Sequence, residues 1–266
     1  MSNAKIRLVG LNKLFHTRFQ TIEAVRNVDM EFAAGDFVSI IGPSGCGKST
    51  IIRMIDDLIK PTSGEIFIDG RRVSPHRRIP PEVIRKIGFI FQQPNMYPWM
   101  TVRENVMLPL RVFGLRDPEW ARHADALIEM TGLREQRHAY PTELSGGSMQ
   151  RAGVIRAMVH KPDILLMDEP FGALDEMTRE QLNLELLDIW RATGKTIVFI
   201  THSVQEAVLL SNRVYVMGTN PGRVVDEIAV DLPRPRNLKL IVSDRFAGYC
   251  ELLTGRIGQV ELSQIK

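Results

Sequence analysis

Gly42-Pro43-Ser44-Gly45-Cys46-Gly47-Lys48-Ser49-Thr50 lies between a short apolar run, Val38-Ser39-Ile40-Ile41, and a segment of helical character running to Ile55. The order is strand, glycine-rich turn, helix. The spacing fits the phosphate-loop pattern, two glycines five apart followed by Lys and Ser. Glycines let such a loop wrap closely around phosphate, while successive backbone N–H groups and the N-terminus of the next helix point at the anion. Lys48 supplies a point charge for the β- and γ-phosphates of a nucleotide, and the Ser49 hydroxyl is a hard oxygen ligand for Mg²⁺. A bare match of this kind can also be an ordinary glycine-rich turn. The flanking strand and helix argue for the phosphate reading. The motif alone says nucleoside triphosphatase, not which kind.

Outward from the loop, Gly64 to Gly70 reads as a strand closed by a turn at Asp69-Gly70, and Ile87 to Phe91 as another strand. The pattern then turns helical from about Pro94 to His160, with breaks at Pro98, Gly114, Pro118 and Gly132. Asp117-Pro118-Glu119 predicts a helix start, with Asp as N-cap and Pro at the first position. Strand character returns at Ile164-Leu165-Leu166-Met167 and at Thr196 to Ile200, both continuous apolar runs of the kind buried parallel strands show. Gln181 to Arg191 between them reads as an amphipathic helix. From about Asp231 the chain reads as an appended segment.

Ile164 to Met167 ends in Asp168-Glu169-Pro170. Acids at the carboxyl end of a parallel strand face the ligand crevice. Asp168 is placed to help hold Mg²⁺, directly or through water, and Glu169 to orient or deprotonate an attacking water. The bland alternative is a polar strand end that caps the next turn.

The chain has 266 residues, enough for one domain with a substantial insertion. Lys and Arg number 34 against 31 acids, a surplus too small to argue for a nucleic-acid partner. The most basic stretch, Arg71, Arg72, His76, Arg77 and Arg78, reads as a solvated loop. The longest apolar runs are too short to span a membrane. The first residues, Met1 to Lys5, carry no apolar secretory stretch, so Cys46 and Cys250 are expected to be reduced thiols. Cys46 sits in an amide-rich, electropositive loop, which would lower its pKa. The alternative is a small residue that merely fits.

Leu144-Ser145-Gly146-Gly147-Ser148, followed by Gln150-Arg151, resembles the signature of the ABC ATPases. The other motifs of that family follow in order: Gln92 matches the Q-loop glutamine, Ala173-Leu174-Asp175 the D-loop, and His202 the switch histidine. Phe15 falls where the family places an aromatic that stacks on adenine, although its bland reading is a core residue. Ser148 departs from the family's usual Gln, which could weaken helix-start or inter-subunit contacts. The stretches Gln92 to Val106, Asp168 to Asp175 and Asp231 to Arg236 resemble, more narrowly, the ATPases of nitrate, sulfonate and taurine importers. Asp56-Asp57-Leu58 stands where that group has Ala-Gly-Leu, and reads as solvated helix-end residues.

The resemblance implies an α/β fold: a P-loop NTPase (RecA-like) core with an N-terminal antiparallel β region and an inserted helical subdomain. It divides the chain into 1–92, 93–160, 161–230 and a C-terminal extension over 231–266. It implies ATP and Mg²⁺ as ligands, with Ser49, Gln92 and Asp168 at the metal. It implies a head-to-tail homodimer in the ATP-bound state. There each nucleotide lies between Lys48 of one copy and Ser145, Gly146 and Gly147 of the other, with Asp175 also among the nucleotide-binding residues and Glu169, His202, Gln92 and Lys48 in catalysis. Transmembrane permease subunits would be direct partners and a substrate-binding protein an indirect one, at the cytoplasmic face of the membrane. The permease would dock beside Gln92 and Tyr97-Pro98-Trp99, although Trp99 could equally be packing inside the helical insertion. The rival is a soluble ABC-type ATPase with no permease.

Overall fold

Strand β3 (Phe37–Ile41) is buried along its whole length, as a strand covered on both faces must be. The computed structural model describes residues 4–73 and 79–262. His76, Arg77 and Arg78 of the basic run lie outside the described residues. Arg71 and Arg72 are surface residues paired with Glu82 and Glu65.

In chain order the elements are β1 (Ala4–His16), β2 (Thr21–Ala33), β3, α1 (Lys48–Ile55), β4 (Ser63–Ile68), β5 (Arg71–Val73), α2 (Pro81–Ile84) and β6 (Ile87–Ile90). Three helices follow, α3 (Val102–Val112), α4 (Pro118–Met130) and α5 (Gly146–Met158). The chain then runs through β7 (Ile164–Asp168), α6 (Glu176–Thr193), β8 (Thr196–Ile200), α7 (Val204–Leu210), β9 (Arg213–Gly218), β10 (Arg223–Ala229) and α8 (Asp244–Leu262).

Two sheets result. An antiparallel sheet has the order β2-β1-β4-β5. A larger sheet has the order β10-β9-β3-β8-β7-β6, parallel except for the edge strand β10. Helix α1 and the antiparallel sheet cover one face of the larger sheet, with Ile40, Ile51, Leu166 and Val198 in the shared core. On the other face, α6, α7 and α8 pack over Leu165, Phe199 and Val216. The α3–α5 group has its own small core around Val106, Ile128 and Ile155.

Local chemistry sets the boundaries. Asp117 caps α4 by accepting from Glu119 N, with Pro118 at the first position. Thr101 and Glu104 form a reciprocal capping box at α3. Gly194, at φ +61°, ends α6. Asp56 and Asp57 are not the freely solvated pair expected. Both are only partly exposed. The Asp57 carboxylate accepts from Ile79 N at 3.0 Å and pairs with Lys60, because α1 ends against the segment that enters α2.

The extension is docked by Phe246, Leu253 and Val260, a seven-residue repeat that puts one buried stripe on α8. Arg236 adds a polar tie. Its guanidinium is buried and donates to the carbonyls of Val208, Leu209, Ser211, Val230 and Leu232. Three of these carbonyls lie at the C-terminal end of α7, where unpaired acceptors and the helix dipole favour a cation. Burial first, and then the neighbouring Arg234 charge, push its pKa down to about 9.

Candidate functional site

Gly47 precedes α1 at φ +92°. A Cβ there would stand 2.9 Å from the Ala24 carbonyl, and one at Gly42 would stand 2.5 Å from the Met217 carbonyl. Both positions therefore require glycine. No side chain caps α1, which leaves its first N–H groups open to an anion. A cavity of about 330 Å³ opens there, lined by Ala24, residues 44–50, Gln92 and Glu169.

Lys48 is buried and its ammonium stays inside the loop. It donates to the Gly42 carbonyl at 2.8 Å and to the Pro43 carbonyl at 3.0 Å. The Cys46 sulfur is 3.7 Å from the same nitrogen. Cys46 does not have the lowered pKa expected of it. The thiol is fully buried, and burial pushes its pKa up more strongly than the Lys48 charge pulls it down. Of the two readings, the small residue that fits is the one the geometry favours.

Ser49, on the first turn of α1, meets Asp168 at the end of β7, the hydroxyl donating to Oδ1 at 2.6 Å. Arg53 Nη2 reaches Asp168 Oδ2 at 3.2 Å. Sequence reasoning missed Arg53, although its spacing of four from Ser49 puts both on one face of α1. Ser49 and Asp168 are adjacent hard-oxygen donors beside a phosphate cradle, the donor type that Mg²⁺ takes together with nucleotide oxygens and water. Gln92 lines the same cavity.

Glu169 follows β7 with φ +46°, its N–H held by the Ile200 carbonyl at 3.1 Å. This turn brings its Oε2 within 3.4 Å of Gln92 Nε2 and 3.5 Å of His202 Nδ1. Three loops that follow parallel strands β6, β7 and β8 therefore converge on one carboxylate. Gly172 lines the approach, since a Cβ there would be 3.5 Å from His202 Cε1.

The remaining candidates lie elsewhere on the chain. Ser145 caps α5, its hydroxyl accepting from Ser148 N at 3.2 Å and donating to Ser148 Oγ at 3.1 Å. The Ser148 departure thus leaves this helix start capped. Ser145 and Gly146 are exposed. Asp175 caps α6 and is also exposed, its pKa lowered by the N–H of Thr178. Phe15 is 38% exposed with Lys13 Nζ 4.8 Å from its ring centroid, so it is no core residue. None of Phe15, Ser145, Gly146, Gly147 and Asp175 lines the phosphate cavity of its own chain. Trp99 is 68% exposed and packs its ring against Tyr97 at 5.2 Å, which disposes of the interior reading.

The profile of the ABC transporter family matches residues 25–172. The chain is 41% identical over 228 residues to the nitrate import ATP-binding protein NrtD of Synechocystis, covering 86% of this chain and 83% of the relative. It is 39% identical over 232 residues to the aliphatic sulfonates import ATP-binding protein SsuB of Bacillus cereus, covering 87% and 88%. An uncharacterised ABC transporter ATP-binding protein of Methanocaldococcus jannaschii is 42% identical over 233 residues, covering 88% and 85%. Among solved structures, a dimeric ATP-binding cassette in a post-hydrolysis state with ADP and phosphate superposes with a TM-score of 0.75 at 34% identity, over 86% of this chain and 100% of that one. With the profile spanning more than half of its length and these relatives aligned over most of it, the chain belongs to the ABC transporter family of ATP-binding proteins.

Proposed function

We propose that this chain is the ATP-hydrolysing subunit of an importer of small anions, of the kind that handles nitrate or sulfonates. It works as a head-to-tail pair at the cytoplasmic face of a membrane. The observation that carries the reading is the meeting of Gln92 and His202 on Glu169 at the mouth of the phosphate cavity.

The loop N–H groups and Lys48 would bind the β- and γ-phosphates, the ammonium exchanging loop carbonyls for phosphate oxygens. Ser49 and Asp168 would hold Mg²⁺, with Gln92 beside it. Held there, Mg²⁺ would supply positive charge against the charge that develops on the phosphates. Glu169 would orient the attacking water and accept its proton, and His202 would stabilise the γ-phosphate side of the reaction.

Ser145, Gly146, Gly147 and Asp175 would serve the nucleotide of the second copy. The exposure of Ser145, Gly146 and Asp175, and the absence of all four from the lining of their own chain's cavity, support that division. ATP then joins two surfaces through its γ-phosphate, and its loss opens the pair. A ligand shifts such an equilibrium only by its differential affinity for the two states.

Tyr97 and Trp99 would receive the transmembrane permease, since an exposed aromatic pair beside the Gln92 loop suits an interface anchor. A substrate-binding protein would act on the far side of that permease. The chain would divide into 1–92, 93–160, 161–230 and 231–266. Affinity purification from gently solubilised membranes tests the reading. A polytopic permease recovered in roughly equal amount supports it. Recovery of soluble partners only, across several detergents, would move the assignment to an ABC-type ATPase that serves no permease.

A further inference from the structure

A second cavity, of about 950 Å³, lies between α4, α5 and α6, and shares no lining residue with the phosphate cavity. Its volume is of the order found for small-molecule sites. Leu127 and Met158, 8% and 5% exposed, and Ile189 give it an apolar surface.

Its carboxylates are already satisfied. Glu185 takes a two-point hydrogen bond from Arg151, at 3.0 and 2.9 Å, and one from Gln181. Asp188 pairs with Arg191 at 3.4 Å. Two lysines on the lining are less fully offset, the Asp163 charge acting on Lys195 from beyond ion-pair distance. Lys195 donates to the Pro162 carbonyl, and Lys161 Nζ sits 5.1 Å from the Trp120 ring centroid. Neither is in a salt bridge among the described residues. The His123 imidazole lines the same cavity. Burial first, and then the charges of Lys161 and Lys195, hold its pKa below the usual value against the opposing charge of Glu119.

We propose that this cavity binds an organic anion with a short apolar body, its head at Lys161 and Lys195 and its body against Leu127, Met158 and Ile189. The walls come from α4 and α5 on one side and α6 on the other, so the bound anion ties the helical insertion to the sheet core. ATP turnover therefore changes when the cavity is filled. That consequence rests on the ATPase reading above, whereas the binding does not.

Calorimetry on the full chain with hexanesulfonate tests the site, with sodium sulfate and hexanol as head-only and body-only controls. Hexanesulfonate should bind at one site per chain, and each control about tenfold or more weakly. Lys161→Gln with Lys195→Gln should weaken binding by about tenfold or more, as expected for loss of charged hydrogen bonds. Met130→Glu, at a lining position 63% exposed and so tolerant of the change, should weaken it through like charge. Both variants should keep the wild-type melting temperature. Absence of binding at millimolar ligand to folded protein, sulfate binding as well as the sulfonate, or undiminished affinity in both variants would overturn the site. Binding as expected with unchanged ATP turnover would overturn the tie between insertion and core. A chain that binds the sulfonate but has no ATPase activity would count against the proposed function and leave the site standing.

Discussion

The Ser49 hydroxyl donates a 2.6 Å hydrogen bond to Asp168 Oδ1, joining the phosphate loop to the end of β7 across 119 residues of chain. The contact holds two hard-oxygen donors side by side, with Arg53 on the other carboxylate oxygen. Asp168→Asn keeps an acceptor for Ser49 and removes the charge. We expect nucleotide binding without Mg²⁺ to be little changed, and the Mg²⁺ concentration for half-maximal turnover to rise about tenfold or more, the cost of losing a charged ligand. A Mg²⁺ titration of ATP hydrolysis that matches wild type would contradict the metal role.

Lys48→Ala removes the buried cation that also ties the Gly42 and Pro43 carbonyls together. ATP affinity should fall by about 10- to 100-fold, the range for a charge-assisted hydrogen bond. Calorimetry checks it, and an unchanged dissociation constant would remove Lys48 from the nucleotide site.

Burial pushes the pKa of both thiols up, but Cys46 is fully buried while Cys250 is partly exposed. Alkylation near neutral pH should therefore reach Cys250 first, and Cys46 slowly whether or not ATP is present. Mass spectrometry of iodoacetamide-treated protein decides. Early labelling of Cys46 that ATP suppresses would restore the reactive-thiol reading.

Asp56 gives a pH signature. Burial first, and then the Asp57 charge, push its carboxyl up to about 7 from an ordinary 3.8. Between those values the folded chain keeps a proton that the unfolded chain has released. The stability this group contributes is therefore full below about pH 4 and is lost as pH rises through 7. Asp56→Asn should be more stable than wild type by about 2 kcal/mol near pH 8, less than full linkage would give because the carboxyl keeps part of its exposure. The two should converge near pH 4. Urea unfolding at both pH values measures the gap, and one that does not change with pH would refute the linkage.

What was legible in the sequence was what chemistry writes locally. Gly42 to Thr50 marked a strand, a turn and a helix. The apolar runs ending at Met167 and Ile200 marked buried parallel strands, and Asp117-Pro118 marked the start of α4. The Ser49–Arg53 face was legible in principle, from a spacing of four on a helix. Nothing local distinguishes Arg236, buried among five carbonyls, from a surface arginine, because its acceptors come from α7 and the β10 exit. The surroundings of Asp56 depend in the same way on where the segment at Ile79 crosses the end of α1. The end of the run from Ile164 to Met167 named Glu169, and family resemblance added Gln92 and His202. Their convergence comes from the strand order β8-β7-β6, which a reading along the chain does not contain.

In the proposed function Glu169 drives hydrolysis in a site completed by a second copy. Glu169→Gln is close in size and cannot accept the proton. Turnover and light scattering on this variant, with ATP and then with ADP, test both parts together. Turnover should fall by about 100-fold or more, and the protein should double its mass with ATP and return to single copies with ADP. Near-normal turnover in a clean preparation, or a single-copy mass under saturating ATP, would contradict the claim.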